Sequence, residues 1–364
     1  MEEINPFTGK PETRDLKYYV AEPKPATREQ LSQGFGCLVP ESFVRLVNRA
    51  LDEENYELRR VNGYYSDLGF CFDGRLTRSL IPDAKVTEQS DPAMPPEFFP
   101  LGDMYNSIVM YGYVVLAPEV PYEDYPVATF EGADDRIIVR GCDTVDAFLE
   151  MAFYLLREAI RDAVNEQLDE LSPMPRCPKG VDRFDWAQQH GPARGKIRET
   201  IVPDASRVIP RSGIKTLCKR TLAELDCPMR WKEFVRRAHE SLRSRNVEAP
   251  ACNVVTPPPG YRYVPTCNNV GVLAPEASFD AGTLPEFTLK DRRIWQRCLT
   301  AAEEALSRGF PGTSLYYLQS GWNLGGESQK TFVDTMCRAY RELNRELIAA
   351  KMMRNFEYFA KYRS

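Results

Sequence analysis

The segment Pro95–Ala152 constrains the fold of this chain more than any other stretch. It contains three strand-like pieces, which are rich in β-branched and aromatic residues and are separated by Pro, Gly and Asp: Ser107–Leu116, Pro126–Phe130 and Arg136–Arg140. After Gly141 the apolar residues recur at helical spacing, and Asp143 or Thr144 is placed to cap the first turn. The segment therefore predicts a meander of antiparallel strands, followed by an amphipathic helix that covers one face of the sheet.

Length and pattern divide the chain into four predicted segments. Its 364 residues are about twice the length of a common domain, so more than one domain is expected. Residues 1–27 are polar and proline-rich and predict an N-terminal arm, and residues 28–171 hold the meander with its helices. Residues 172–290 begin with a proline-rich linker and predict a basic region of mixed helix and loop. Residues 291–364 predict a helical region whose last helix covers Glu327–Tyr362.

The composition is that of an ordinary globular protein, with 43% hydrophobic and 27% charged residues. No apolar run approaches the roughly 20 residues that a membrane span requires. The N-terminal residues are acidic and polar, whereas a secretory signal begins with a basic region and continues with an apolar one. We therefore expect a cytoplasmic protein with no membrane contact.

Residue types that often carry metal or acid–base chemistry are scattered or scarce. The ten cysteines include no Cys-x-x-Cys pair, so we expect reduced thiols rather than disulfides or zinc ligands. The two histidines, His190 and His239, are too few for chemistry that depends on several imidazoles. The sequence thus indicates no catalytic residues, no metal site and no cofactor.

Charge is distributed unevenly along the chain. Residues 81–170 contain 19 Asp and Glu against 5 Lys and Arg, whereas residues 176–250 contain 17 Lys and Arg against 9 Asp and Glu. The two segments can face each other or simply be solvated, but the acidic one can also dock a basic partner. The predicted partner-binding set comprises six carboxylates and two tyrosines of the loops between the meander strands: Glu119, Tyr122, Glu123, Asp124, Tyr125, Glu131, Asp134 and Asp135. The alternative is that the carboxylates only solubilise the loops and that Tyr122 and Tyr125 pack inward.

Two short motifs lie outside these predictions. The pentapeptide VLAPE occurs twice, at Val115–Glu119 and Val272–Glu276, although the flanking residues do not otherwise align. The pair Gly325-Gly326 precedes a helix but lacks the following lysine and hydroxyl residue of a phosphate-binding loop. We interpret the first motif as a coincidence rather than a duplication, and the second as a turn.

Residues 28–171 also carry a recognisable series of motifs. In chain order these are a helix that opens with Pro40 and Phe43, an Asn62-Gly63 turn, a sheet entry at Phe98–Asp103 and a closing helix with Val145–Leu149. With these motifs in this order, the segment resembles the SUKH superfamily.

The resemblance implies both a fold and a kind of function. It implies an α+β domain with an antiparallel-rich sheet, packed by the Phe43 helix and the Phe148 helix, followed here by a mainly helical C-terminal region. Many bacterial members of the superfamily are immunity proteins that neutralise polymorphic toxins by direct binding, and catalysis is not a family trait. The expectation is therefore a non-enzymatic immunity protein that binds a basic toxin, such as a nuclease, through its acidic surface.

Other functions stay open. A non-catalytic scaffold would bind different cellular partners through its acidic domain and its helical tail. An enzyme would use carboxylates such as Asp134/Asp135 or Asp182/Asp185 as acid and base. Nucleic-acid binding by the basic helix predicted at Met229–Arg245 is less favoured, because a solvated basic face is commoner. The oligomeric state is not indicated.

Overall fold

The structure of the chain is a computed structural model. It describes residues 2–4, 11–13, 25–50, 70–72, 74–80, 93–104, 109–120, 122–131, 136–171, 176, 178–182, 185–186, 189, 219, 222–223, 229–243, 256–282, 284–285, 287 and 294–363. The chain forms two compact units. Unit 1 combines Met1–Thr144 with Cys252–Ser364, and unit 2 is Val145–Ala251. The boundaries predicted after residues 27, 171 and 290 do not coincide with this division.

A five-stranded antiparallel sheet is the centre of the described part of unit 1. Its strands are β3 (Phe70–Phe72), β4 (Phe98–Met104), β5 (Met110–Val114), β6 (Val127–Glu131) and β7 (Arg136–Gly141), paired in that order. A separate hairpin of β1 (Glu2–Ile4) and β2 (Pro11–Thr13) lies in the predicted N-terminal arm. Because each of the five strands pairs with its neighbour in sequence, the predicted antiparallel meander is confirmed.

Three helices in the N-terminal part of unit 1 are α1 (Arg28–Phe35), α2 (Glu41–Ala50) and α3 (Gly74–Leu80). Helix α1 begins with a capping box, in which Thr27 and Gln30 bind each other's backbone N–H groups. The Phe43 ring of α2 packs edge-on against Tyr113 of β5, with the ring centroids 5.8 Å apart. The prediction that the Phe43 helix packs on the sheet is therefore confirmed.

The opposite face of the sheet is covered by a hairpin of β8 (Tyr261–Val264) and β9 (Val272–Pro275). One buried cluster joins them: Met94, Phe98, Val114, Leu116, Ala117, Ala128, Phe130, Ile137, Val270 and Leu273. Successive residues of β5 thus face different layers, since Tyr113 contacts α2 and Val114 belongs to this cluster. At β5, parts of unit 1 that are far apart in sequence therefore pack on the two faces of the sheet.

The C-terminal part of unit 1 is helical, as predicted. It contains α6 (Trp295–Ser307), α7 (Pro311–Gly321), α8 (Lys330–Glu342) and α9 (Glu346–Arg363), with short 3-10 turns at Trp322–Leu324 and Gly326–Ser328. Their shared core includes Leu315, Phe332, Met336 and Tyr340, together with Val272 and Ala274 of β9. Helix α7 is buried along nearly its whole length.

One helix prediction in this region was wrong. The helix predicted over Glu327–Tyr362 is interrupted between α8 and α9, where Asn344 adopts a left-handed conformation with φ of 61°. No Gly or Pro marks the break in the sequence. Asparagine tolerates this conformation better than most residues, so the chain can turn there without either.

Unit 2 contains most of α4 (Thr144–Leu171), which begins at the last residue of unit 1, and α5 (Trp231–Arg243). Within the unit, Phe153 of α4 packs edge-on against Phe234 of α5, with the centroids 4.9 Å apart. The exposed Arg236 and Arg237 of α5 form ion pairs with Glu233 of the same helix. Packing of the Phe148 helix on the sheet stays a prediction. Among the described residues, no helix has both the length and the apolar character needed to cross a membrane.

Candidate partner-binding site

The β5–β6 loop, residues 115–126, contains five members of the predicted partner-binding set. Strand pairing closes its base, where Val114 N donates to Pro126 O at 2.9 Å. Inside the loop, Val120 N donates to Ala117 O at 3.0 Å and Tyr122 N donates to Val120 O at 2.9 Å. These bonds make the described part of the loop a compact turn.

Asp124 of this loop faces the interior. Its carboxylate accepts hydrogen bonds from Ser42 Oγ at 2.6 Å, Thr144 Oγ1 at 2.8 Å and the Tyr125 backbone N at 2.8 Å. Since Thr144 donates to Asp124, Tyr113 Oη is the donor in its own 2.7 Å contact with Thr144. Burial raises the pKa of Asp124, although these bonds act in the opposite direction. Asp124 thus attaches the loop to α2, β5 and the first residue of α4.

Glu119 is also engaged within unit 1. Its two carboxylate oxygens accept from Arg345 Nε at 3.1 and 3.0 Å, and Oε1 also accepts from a terminal guanidinium nitrogen at 2.6 Å. The same nitrogen donates to Leu273 O at 2.6 Å. The Arg345 side chain is 1% exposed and that of Glu119 is 22% exposed. Glu119 is therefore bound by a buried arginine.

The two tyrosines of the loop differ in exposure. Tyr125 is 4% exposed, and its ring lies 5.7 Å from the Tyr113 ring and 6.0 Å from the Tyr122 ring. Tyr122 is only partly buried, but its hydroxyl is buried without a hydrogen-bond partner in the described part of the chain. Burial raises the pKa of both side chains to about 12. Tyr125 is thus part of the interior, and part of the Tyr122 side chain is exposed to solvent.

The remaining members of the set are placed as follows. Glu123 is exposed, whereas its neighbours in sequence, Tyr122 and Asp124, are partly buried. Glu131 ends β6, and Asp134 and Asp135 lie outside the described residues. The structure therefore brings Glu119, Tyr122, Glu123, Asp124 and Tyr125 into one loop, with Glu123 and part of Tyr122 on its surface.

A buried polar network connects the start of β4 to the C-terminal helices. The carboxylate of Glu97 accepts hydrogen bonds from Tyr340 Oη and Gln319 Nε2, and Gln319 Oε1 accepts from Asn268 Nδ2 at 3.0 Å. Burial raises the pKa of Glu97 despite these bonds. All four side chains are buried, so the network joins elements rather than presenting a reactive group.

Lys351 of α9 lies beside this network. Its Nζ donates to Pro96 O at 2.8 Å and to Phe98 O, and it lies 4.1 Å from the centroid of the Phe99 ring. Sequence reasoning missed both Glu97 and Lys351 as structural centres. No local signal was available, because their partners lie more than 200 residues away: 222 for Gln319, 243 for Tyr340 and 255 for Pro96.

The remaining predictions concern metal ligands, the cysteine thiols and the Gly325-Gly326 turn. The described residues contain no cluster of three or more His, Cys, Asp or Glu side chains placed to hold a metal. Cys37, Cys142, Cys267, Cys298 and Cys337 carry thiols rather than disulfides, and burial raises the pKa of Cys37 and Cys298 to about 12. The Gly325 N–H donates to the Glu327 carboxylate at 3.1 Å, as expected of a turn.

The chain matches no model of a known protein family, and no curated protein has a similar sequence. The resemblance to the SUKH superfamily therefore stays a prediction.

Proposed function

We propose that this chain is a non-catalytic immunity protein of the SUKH type, which neutralises a toxin in the cytoplasm by direct binding through the β5–β6 loop. The observation that carries the proposal is that the carboxylates of this loop differ in their contacts. Glu119 and Asp124 are bound by side chains from other parts of unit 1, whereas Glu123 is an exposed residue between them. A loop that is ordered before binding loses less conformational entropy when a partner docks.

The chemistry of the loop favours a basic partner. Glu123 adds its charge to a segment with 19 acidic and 5 basic residues, and the exposed part of Tyr122 offers an aromatic contact beside it. Charges at the rim of an interface mainly raise the association rate, and aromatic side chains contribute much of the binding energy. A toxin that acts on nucleic acid carries a basic cleft to attract phosphate, so it fits this surface.

The proposal expects a toxin module to be encoded beside this chain, and the test uses that module. Co-expression of the wild type should protect cells from the module. Glu123→Lys should lower the association rate about tenfold or more at low salt, and by less as salt rises, because the attraction is screened. The measurement is the association rate of the purified pair across a salt series.

Glu342→Lys is the matched control. Glu342 is an exposed residue at the end of α8, and its substitution changes the net charge by the same amount. We expect it to leave the association rate close to wild type. Lack of protection by the wild type would contradict the proposal and favour the non-catalytic scaffold. Equal rates for Glu123→Lys and wild type at low salt would remove the loop as the docking surface.

A further inference from the structure

Arg345 occupies the turn at which the left-handed Asn344 separates α8 from α9. Its backbone N donates to Tyr340 O at 2.8 Å, and its O accepts from Ala349 N at 3.2 Å. The turn therefore fixes the Arg345 backbone from both sides, and the side chain extends into the interior.

This side chain joins the two VLAPE segments. Glu119 is the last residue of the first segment, and its carboxylate receives three hydrogen bonds from Arg345. Leu273 is the second residue of the other segment, and its carbonyl receives a fourth. The planar guanidinium can serve both acceptors at once, which a lysine ammonium cannot do in the same geometry.

The two ends of the β5–β6 loop are thus held by different parts of unit 1. Asp124 attaches the later half to Ser42 of α2, whereas Glu119 attaches the earlier half to the turn between the C-terminal helices. Removing Glu119 would leave the buried guanidinium of Arg345 without its counter-charge, and removing Arg345 would release the Glu119 carboxylate. The earlier half of the loop therefore depends on a residue 226 positions away.

We infer that Arg345 is a positioning residue for the β5–β6 loop, through which the C-terminal helices determine how Tyr122 and Glu123 are presented. The effect on partner binding rests on the proposed function. The effect on the loop itself does not.

The first experiment measures amide hydrogen exchange in the full-length chain. In Arg345→Lys the amides of Val120 and Tyr122 should exchange about tenfold or more faster, since hydrogen bonds to charged groups are among the stronger ones. The amide of Val114 should keep its protection, because it pairs with Pro126 at the base of the loop. Arg341→Lys is the control, since Arg341 and Glu346 form an ion pair in which both side chains are about half exposed or more.

A second variant separates positioning from stability. Replacing both partners, Glu119→Leu with Arg345→Met, removes the buried charges together, and such replacements often restore stability. We expect this double variant to unfold at close to the wild-type temperature while the Val120 and Tyr122 amides remain unprotected. If Arg345 only stabilised the fold, the double variant would regain both the unfolding temperature and the protection of these amides.

The outcomes separate this inference from the proposed function. Wild-type protection of the Val120 and Tyr122 amides in the double variant would overturn the positioning role, whatever the chain binds. Loss of protection with slower association of the toxin module supports both conclusions. Loss of protection with unchanged association supports the positioning role and removes the loop as the docking surface.

Discussion

Glu119, Glu123 and Asp124 are close together in sequence and have three different environments. Glu119 forms an ion pair with the buried Arg345, Asp124 accepts three hydrogen bonds and Glu123 is exposed, with no such partner in the described part of the chain. A count of acidic residues therefore overstates the surface available to a partner in this loop. A carboxylate contributes to docking only where it is not already engaged inside the fold.

Lys351 is the clearest case of an internal charge that depends on pH. Burial is the main factor that lowers its pKa to about 7, and Arg75 adds to the effect, as does Arg354 to a smaller extent. Glu97 and Cys37 act in the opposite direction. Two carbonyls and the Phe99 ring accept its N–H groups.

The low pKa of Lys351 predicts a specific pH dependence of stability. Its ordinary pKa is 10.5, so between about pH 7 and 10.5 the unfolded chain binds more protons than the folded one. The free energy of unfolding should therefore rise with pH in this window, by up to about 1.4 kcal/mol per pH unit. Lys351→Met should remove this rise.

The measurement is denaturant unfolding of the wild type and Lys351→Met from pH 7 to 9.5. Below pH 10 the buried Tyr113 and Tyr340, whose pKa values are raised by burial, contribute little. Lys330→Met serves as the control, because Lys330 is an exposed residue of α8 that pairs with Asp334. Parallel pH curves for the wild type and Lys351→Met would show that Lys351 stays charged in the fold.

At the level of elements, the pairing of β4 with β5 depends on Gly112. The Phe98 ring lies over this position, so a Cβ there would be 2.6 Å from the ring and 2.6 Å from the Phe99 carbonyl oxygen. The glycine therefore makes room for an aromatic side chain of the neighbouring strand.

Gly112→Ala should lower the free energy of unfolding by about 1–3 kcal/mol, as overpacking of a core usually does. At an open strand position the same change would be neutral or stabilising. Gly282→Ala provides the comparison, since a Cβ at Gly282 meets no atom within 4 Å. If the two variants unfold at the same denaturant concentration as the wild type, then the sheet adapts and the close contact is not important.

At the level of the whole molecule, unit 1 is assembled from two parts of the chain separated by unit 2. Val270 and Leu273 complete the core of the sheet, and Gln319, Tyr340, Arg345 and Lys351 bind its loops and strand ends. The C-terminal helices are therefore part of the same folded unit as the sheet.

This assembly predicts how fragments behave. Residues 28–171 alone should not unfold cooperatively, because Phe98, Phe130 and Ile137 would lose the residues that cover them. Co-expression of residues 1–144 with residues 252–364 should give a complex that purifies together. Circular dichroism during thermal unfolding tests the first expectation. A sharp transition of the 28–171 fragment would mean that this segment is an independent domain.

The sequence by itself determined the local elements of this protein. The strands at Pro126–Phe130 and Arg136–Arg140, the helix that contains Phe43 and the helical C-terminal region all follow from side-chain patterns that repeat every two or every three to four residues. Such patterns arise from neighbours along the chain, so they can be read without a structure.

Only the tertiary structure decided which way the loop carboxylates face and what they bind. Periodicity could not reveal that Asp124 and Tyr125 lie inside, because the loop has no repeating pattern. Nor could it reveal that Glu119 pairs with Arg345, 226 residues away, or Glu97 with Tyr340, 243 residues away. The environment of a buried charge is set by partners that folding brings together, and the distance between them in sequence leaves no local signal.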